Sequence, residues 1–367
     1  MKRMIRALAF MIPMVLVASN SYAAVKAGSA CTKVGTKSVT GGKSYTCIKS
    51  GKKLVWSKGV VVAKPSVTKP TPAPSASAIP VSVAFTPWAS SFVTEDMTKA
   101  ALSSTSAYLG IVKPSNAYTY TVDPAITESD RAWITKMLDY TNGAFSEVLQ
   151  GRVKVYLGTT HEWSATVMRA AGDWVGDPKG PYPCSDGTRD AYCAGENIAL
   201  MIYSDIYKPN SNYRWDVGRR STPAHELFHT VQFALGGRNL GPDDQAHIPR
   251  WLMEGSANYF GYFMVDTLGI DSYGSGRGNQ VSMNRAYKTI VPLVEYDNFT
   301  SDPYGIGQAA TEYLIASVGF ENFLNIWRFT KSEGTFAKGF AKATGIELSD
   351  FYAKFEGARG SMKIGSL

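Results

Sequence analysis

The 367-residue sequence predicts an α+β fold: a small β-rich module stapled by a disulfide, then a larger domain that is mostly helical in its C-terminal half. Three observations predict it. Short strand-like runs between glycine turns lie close to Cys31 and Cys47. Apolar strands near 152–157 and 197–203 alternate with amphipathic helices. From Pro249 onward, apolar residues recur mainly at three- and four-residue intervals.

The chain opens with Lys2, Arg3 and Arg6, an apolar run from Ala7 to Ala18, and Ser21-Tyr22-Ala23 as a small-x-small site. That order reads as a secretory signal over residues 1–23. The run is too short to span a bilayer comfortably, and no later segment is long and apolar enough to cross one. Cys31 lies too far beyond the run for lipid attachment. The expected location is secreted or at the cell surface, an oxidising setting in which four cysteines form disulfides. Three pairings are possible, and sequence locality favours Cys31–Cys47 with Cys184–Cys193. A four-cysteine zinc site lacks any C-x-x-C pair to support it.

Residues 24–60 form the basic Cys/Trp module, with runs at Lys43–Ile48 and Lys53–Trp56. Residues 61–87, with Pro65, Pro70, Pro72, Pro74 and Pro80, read as an extended spacer. Thirteen of the 38 basic side chains lie before residue 70, and none of the 30 acidic ones do. The remaining 25 basic groups therefore face 30 acidic ones, which removes any compositional case for nucleic-acid binding by the main domain. A lysine-rich module face suits an anionic cell-wall polymer or a membrane surface; the plain alternative is a solvated surface.

The main domain spans 88–367. Helices are expected over Thr94–Leu109 and Thr127–Leu149, the latter with an apolar face of Trp133, Met137, Tyr140, Ala144 and Val148. A strand follows at Arg152–Leu157, then a helix at Thr160–Ala171, ended by Gly172. Cys184 and Cys193 fall in an irregular loop before an apolar strand at Asn197–Tyr203. That strand reads either as an edge that holds a peptide or as a buried core strand. The next helix takes Ser221 or Thr222 as its cap, Pro223 at its first position and Gly236-Gly237 at its end. Helices over Trp251–Leu268, Ile306–Val318, Phe320–Phe329, Phe336–Thr344 and Leu348–Gly357 complete the chain, with Ser349 as a candidate cap of the last.

The 221–235 helix carries His225-Glu226-Leu227-Phe228-His229, an H-E-x-x-H motif. Four residues apart on a helix, His225 and His229 can reach one metal ion. Glu226, turned away from them, can sit beside a bound water as general base rather than ligate. A catalytic zinc needs a third protein ligand and an open position. A metzincin would carry glycine and histidine where Gln232 and Leu235 stand, so that class is excluded.

Trp251-Leu252-Met253-Glu254-Gly255-Ser256-Ala257 resembles the W-L-x-E-G-x-A segment of gluzincins, the zinc peptidase clan of thermolysin and the zinc aminopeptidases. The resemblance implies a zincin-like fold, Zn2+ bound by His225, His229 and Glu254, Glu226 as base, and hydrolysis of peptide or protein substrates. The 25-position interval from His229 to Glu254 is several residues longer than in familiar members, and the 236–248 loop is where the extra length fits. By the same resemblance Tyr304 would present its phenol to the oxyanion, and Asn258 would hold a ligand histidine. Cys193-Ala194-Gly195-Glu196-Asn197 is partly similar to the G-x-M-E-N segment that binds a substrate amino terminus. His161 and His247 read as exposed histidines. The rival readings are a surface-attached binding protein with a structural or inactive zinc site, and a hydrolase of non-peptide amides at the cell wall.

Overall fold

The computed structural model describes residues 26–40, 43–61, 85–86, 94–184, 187, 191–203, 217–237, 243–277, 291–297 and 302–359. The signal read over 1–23 and most of the 61–87 spacer lie outside them. The chain divides into two units, Met1–Ile79 and Pro80–Leu367.

In the first unit β1 (Lys37–Thr40), β2 (Lys43–Ser50), β3 (Lys53–Trp56) and β4 (Val60–Val61) make an antiparallel sheet in which every strand pairs with β2. Cys47, at the centre of β2, is wholly buried and bonded to Cys31. It is the one buried hydrophobic side chain among the described residues of this unit. So small a core makes the crosslink the main constraint on the unfolded chain. Eight lysines between Lys26 and Lys58 are all exposed.

The second unit runs α1 (Thr94–Leu109), β5 (Thr119–Val122), α2 (Glu128–Ala144), α3 (Ser146–Leu149), β6 (Lys154–Gly158), α4 (His161–Ala171), β7 (Ala191–Ala194) and β8 (Ile198–Ile202). It continues with α5 (Val217–Leu235), α6 (Arg250–Thr267), α7 (Pro303–Val318), α8 (Phe320–Glu333), α9 (Phe336–Thr344) and α10 (Leu348–Arg359). The fold is mixed α+β, and the expected helical C-terminal half is present. The sheet order is β5-β6-β8-β7, parallel except for antiparallel β7 at the edge. Val155 and Leu157 of β6 enter the main core, whereas Tyr156 packs with Met168 and β8 on the other face. A sheet covered on both faces explains why β8 is buried at every position.

Of the two readings of β8, the core strand holds, because β6 and β7 flank it. Several expectations are corrected. β7, read as part of an irregular loop, is a strand and forms the sheet's edge among the described residues. The long helix breaks at Phe145, and its buried side is Ile134, Met137, Leu138 and Thr141. Only Met137 of the expected apolar face is fully buried there, because aromatic Trp133 and Tyr140 border the core instead of filling it. Ser349 lies inside α10 rather than before it. Phe85, counted with the spacer, packs against Tyr313 and Phe351 at 6.2 and 6.4 Å, so the 61–87 spacer ends earlier than its proline content suggests.

The helix carrying His225 also starts earlier, at Val217, which puts Pro223 inside it. The Ser221 and Thr222 hydroxyls turn back and donate to the Gly218 carbonyl instead of capping. Both glycines at the far end act as expected: the Gly236 and Gly237 N–H groups close onto the Gln232 carbonyl.

Two contacts lock the site-bearing helices together. Phe228 stacks on Phe260 of α6 at 4.7 Å, each ring contributing about 1.5–3 kcal/mol by burial. Helix α7 crosses α6 where Gly255 meets Gly307; a Cβ on Gly255 would lie 2.1 Å from the Gly307 carbonyl carbon. That backbone-to-backbone approach is open only to glycine, and it brings the start of α7 beside Glu254. The two disulfides, Cys31–Cys47 and Cys184–Cys193, suit an extracellular or otherwise oxidising environment. No described helix is long and apolar enough to cross a membrane.

Candidate metal centre

Helix α5 supplies two imidazoles and α6 a carboxylate to one point. His225 Nε2 and His229 Nε2 lie 3.1 Å apart, and Glu254 Oε2 lies 3.4 Å from the first and 3.3 Å from the second. All three side chains are buried, with 8, 8 and 9 % exposure. The long interval between the helices is absorbed in the loop before α6, and Glu254 still reaches the histidine pair.

A small set of hydrogen bonds shows what this triangle accepts. The Gln232 side-chain amide donates to the Met253 carbonyl and the Ser256 hydroxyl, which turns its Oε1 toward His229 Nδ1, 2.8 Å away. His229 Nδ1 is therefore the protonated nitrogen, and its Nε2 presents a lone pair to the Glu254 carboxylate. Acceptors facing acceptors require a cation between them. Ligands held at about 2.0–2.1 Å around a tetrahedral ion stand roughly 3.3 Å from one another. The three observed separations match that spacing, so the residues fit a small metal ion.

The titration behaviour without an ion points the same way. Burial alone would lower the His229 pKa, but the Glu254 charge and hydrogen bond outweigh it and raise it to about 9. Burial alone would raise the Glu254 carboxyl, yet His229 and His225 hold it well below the usual range. A proton thus substitutes for the cation.

Glu226 stands beside the triangle without joining it, its Oε1 3.9 Å from His225 Nε2. It is 4 % exposed, its Oε2 has no hydrogen-bond partner, and burial raises its pKa against the pull of both histidines. Tyr304, near the start of α7, places its ring 6.1 Å from that of His225. Burial, then the Glu254 and Glu226 charges, push its phenol far above the ordinary range. It is a neutral donor at any moderate pH.

A cleft of about 290 Å³ opens onto His225, Glu226, His229, Glu254 and Tyr304, with Cys193 and Ala194 of β7 on one wall. A second cleft of about 340 Å³ shares His225, Glu226 and Tyr304. The disulfide partner Cys184 also lines the first cleft, so the crosslink braces the edge strand beside the site.

Other expected residues fall differently. Asn258 makes no hydrogen bond to a histidine, and its Nδ2 is buried without a partner; Gln232 has the positioning role. A lone glutamine one turn after His229 in an apolar helix was the available signal. His161 is buried against Tyr182, not exposed. His247 is half-buried, lines the first cleft, and donates to the Asp297 carboxylate at 2.8 Å. Fifty positions separate that pair, so only tertiary folding joins it. Glu196 is exposed in the β7–β8 turn and lines a different cavity, away from the metal residues. The partial likeness to an amino-terminus-binding segment thus finds no counterpart here. No protein-family model, curated protein or solved structure matches the chain.

Proposed function

We propose that the chain is an exported zinc-dependent peptidase of gluzincin type, with a zincin-like domain after a small lysine-rich module. The observation that carries the reading is the convergence of His225, His229 and Glu254 at 3.1–3.4 Å beside a buried carboxylate with a free oxygen. The donor set of two imidazoles and one carboxylate is that of catalytic zinc, which leaves a fourth position open. A structural site would close that position with protein; here the triangle faces a cleft.

Bound zinc would supply Lewis acidity, activating water and polarising a carbonyl. Glu226 takes the proton from the attacking water and returns it to the departing amine. The Tyr304 phenol donates to the carbonyl oxygen as negative charge builds there. An extended peptide lies along edge strand β7, bonded through backbone groups. The exposed lysines of the first unit suit attachment to an anionic wall polymer or membrane surface.

The test is metal analysis of the purified chain combined with cleavage of a broad peptide library. One zinc per chain is expected, with cleavage lost to a chelator and restored by zinc. Glu226→Gln should keep the metal and lower turnover about 10²–10⁴-fold. Metal without any cleavage would favour the structural-site reading; turnover unchanged by Glu226→Gln would sink the mechanism.

A further inference from the structure

The first unit carries a surface that the metal centre does not use. Six large hydrophobic side chains are exposed among the described residues, and three of them, Val34, Ile48 and Val60, belong to this small unit. Their exposures are 57, 42 and 70 %. Strand register shows where two of them point. Cys47 pairs with Trp56, and Cys47 is buried and bonded to Cys31, so that face of the sheet holds the disulfide. The next pair, Ile48 with Val55, points to the opposite face. Ala30 bridges to Val55 and shares that face. Val60 pairs with Ser44, Lys37 with Thr46 and Lys53 with Ser50, and these three β2 residues stand at even spacings from Ile48. Ala30, Lys37, Ile48, Lys53, Val55 and Val60 therefore project from one side of the sheet, where Val55 is half-buried and the others are exposed.

The outcome is an apolar strip, Ala30-Val55-Ile48, running across the strands, with Val60 further along the same face. Lys37 on β1 and Lys53 on β3 stand diagonally from Ile48, one on either side. Residues 1–69 contain no aspartate or glutamate, so nothing within the unit neutralises its lysines. That charge selects an anionic partner, and the apolar strip discriminates among anionic partners. A hydrated polyanion gains nothing from an exposed isoleucine or valine. A bilayer gains from both, because apolar side chains enter the boundary between headgroups and acyl chains while lysine heads stay at the phosphates. We propose that this face of the first unit docks on an anionic phospholipid surface. The inference rests on the attachment reading given above, which it narrows to one partner, and is independent of the peptidase reading.

The test is sedimentation of the exported chain, residues 24–367, with vesicles of phosphatidylcholine or of an equal mixture of phosphatidylcholine and phosphatidylglycerol. Soluble polyphosphate, a polyanion without an apolar phase, is the second probe. The anionic vesicles should bind the chain about tenfold or more tightly than the neutral ones. Each lysine near an anionic surface strengthens binding about fivefold, so Lys37→Gln with Lys53→Gln should weaken it about 25-fold. Ile48→Ser with Val60→Ser should weaken it about tenfold while leaving polyphosphate binding unchanged. Val60→Trp, a larger apolar group at an exposed position, should tighten vesicle binding, a gain that misfolding cannot imitate. Equal binding to both kinds of vesicle, or anionic-vesicle binding indifferent to the apolar substitutions, overturns the membrane surface. If polyphosphate then still binds, attachment to a polyanion stands. Binding to neither vesicles nor polyphosphate would sink the attachment reading as well.

Discussion

Two buried carboxylates in the second unit make an instructive pair. Glu254 on α6 and Glu312 on α7 are both shielded from water, at 9 and 0 % exposure. Glu312 is surrounded by donors: the Tyr273 hydroxyl at 2.6 Å, the Thr98 hydroxyl at 2.9 Å, and Arg277 Nε at 3.0 and 2.9 Å. Glu254 faces imidazole nitrogens, one of which Gln232 has fixed as an acceptor. A carboxylate ringed by donors is a completed structural joint. One facing neutral imidazole nitrogens is completed by a metal ion or, without one, by a proton. The identity of the neighbours, rather than burial or charge, separates a tie from a ligand.

The contrast can be broken by substitution. Glu312→Ala strands the buried Arg277 guanidinium, whose two terminal nitrogens already lack partners. Unfolding in urea should show a loss of about 3–5 kcal/mol, with the folded fraction still binding one zinc. If Glu254→Ala cost the metal-free protein as much above pH 9, where His229 has lost its proton, the distinction would collapse. Gln232→Ala should weaken zinc affinity about 10–100-fold in a competition with a chromophoric chelator. An unchanged affinity would mean that the His229 ring is held by its packing. Thr98→Val removes one donor from Glu312 and keeps the shape, so a loss of about 1–2 kcal/mol and intact metal binding are expected.

The two clusters also differ in how legible they were. His225, Glu226 and His229 are local: helix geometry alone puts residues four apart on one face. Glu254 was found by its resemblance to a known segment, since no local rule links α5 to α6. The donors around Glu312 come from α1 and the 273–277 stretch, and no pattern in sequence announces them. The missed strand β7 has the same origin: four residues, Ala191–Ala194, carry too little alternation to be seen, and pairing with β8 creates them. Helices α8 and α9 were readable because an amphipathic period repeats within each element.

By itself, the sequence determined the α+β class, the helical second half, the local cysteine pairings and the three-residue grammar of the H-E-x-x-H turn. Those depend on interactions within one helix, one hairpin or one short loop, which spacing encodes. Only the tertiary structure decided that Glu254 meets both histidines, that Gln232 aims one of them, and that β7 rather than β8 holds the sheet's edge. It also decided which buried carboxylate would lack donors. The physical reason is that a side chain's protonation and ligand preference follow from the groups packed around it, and packing joins residues that spacing does not relate.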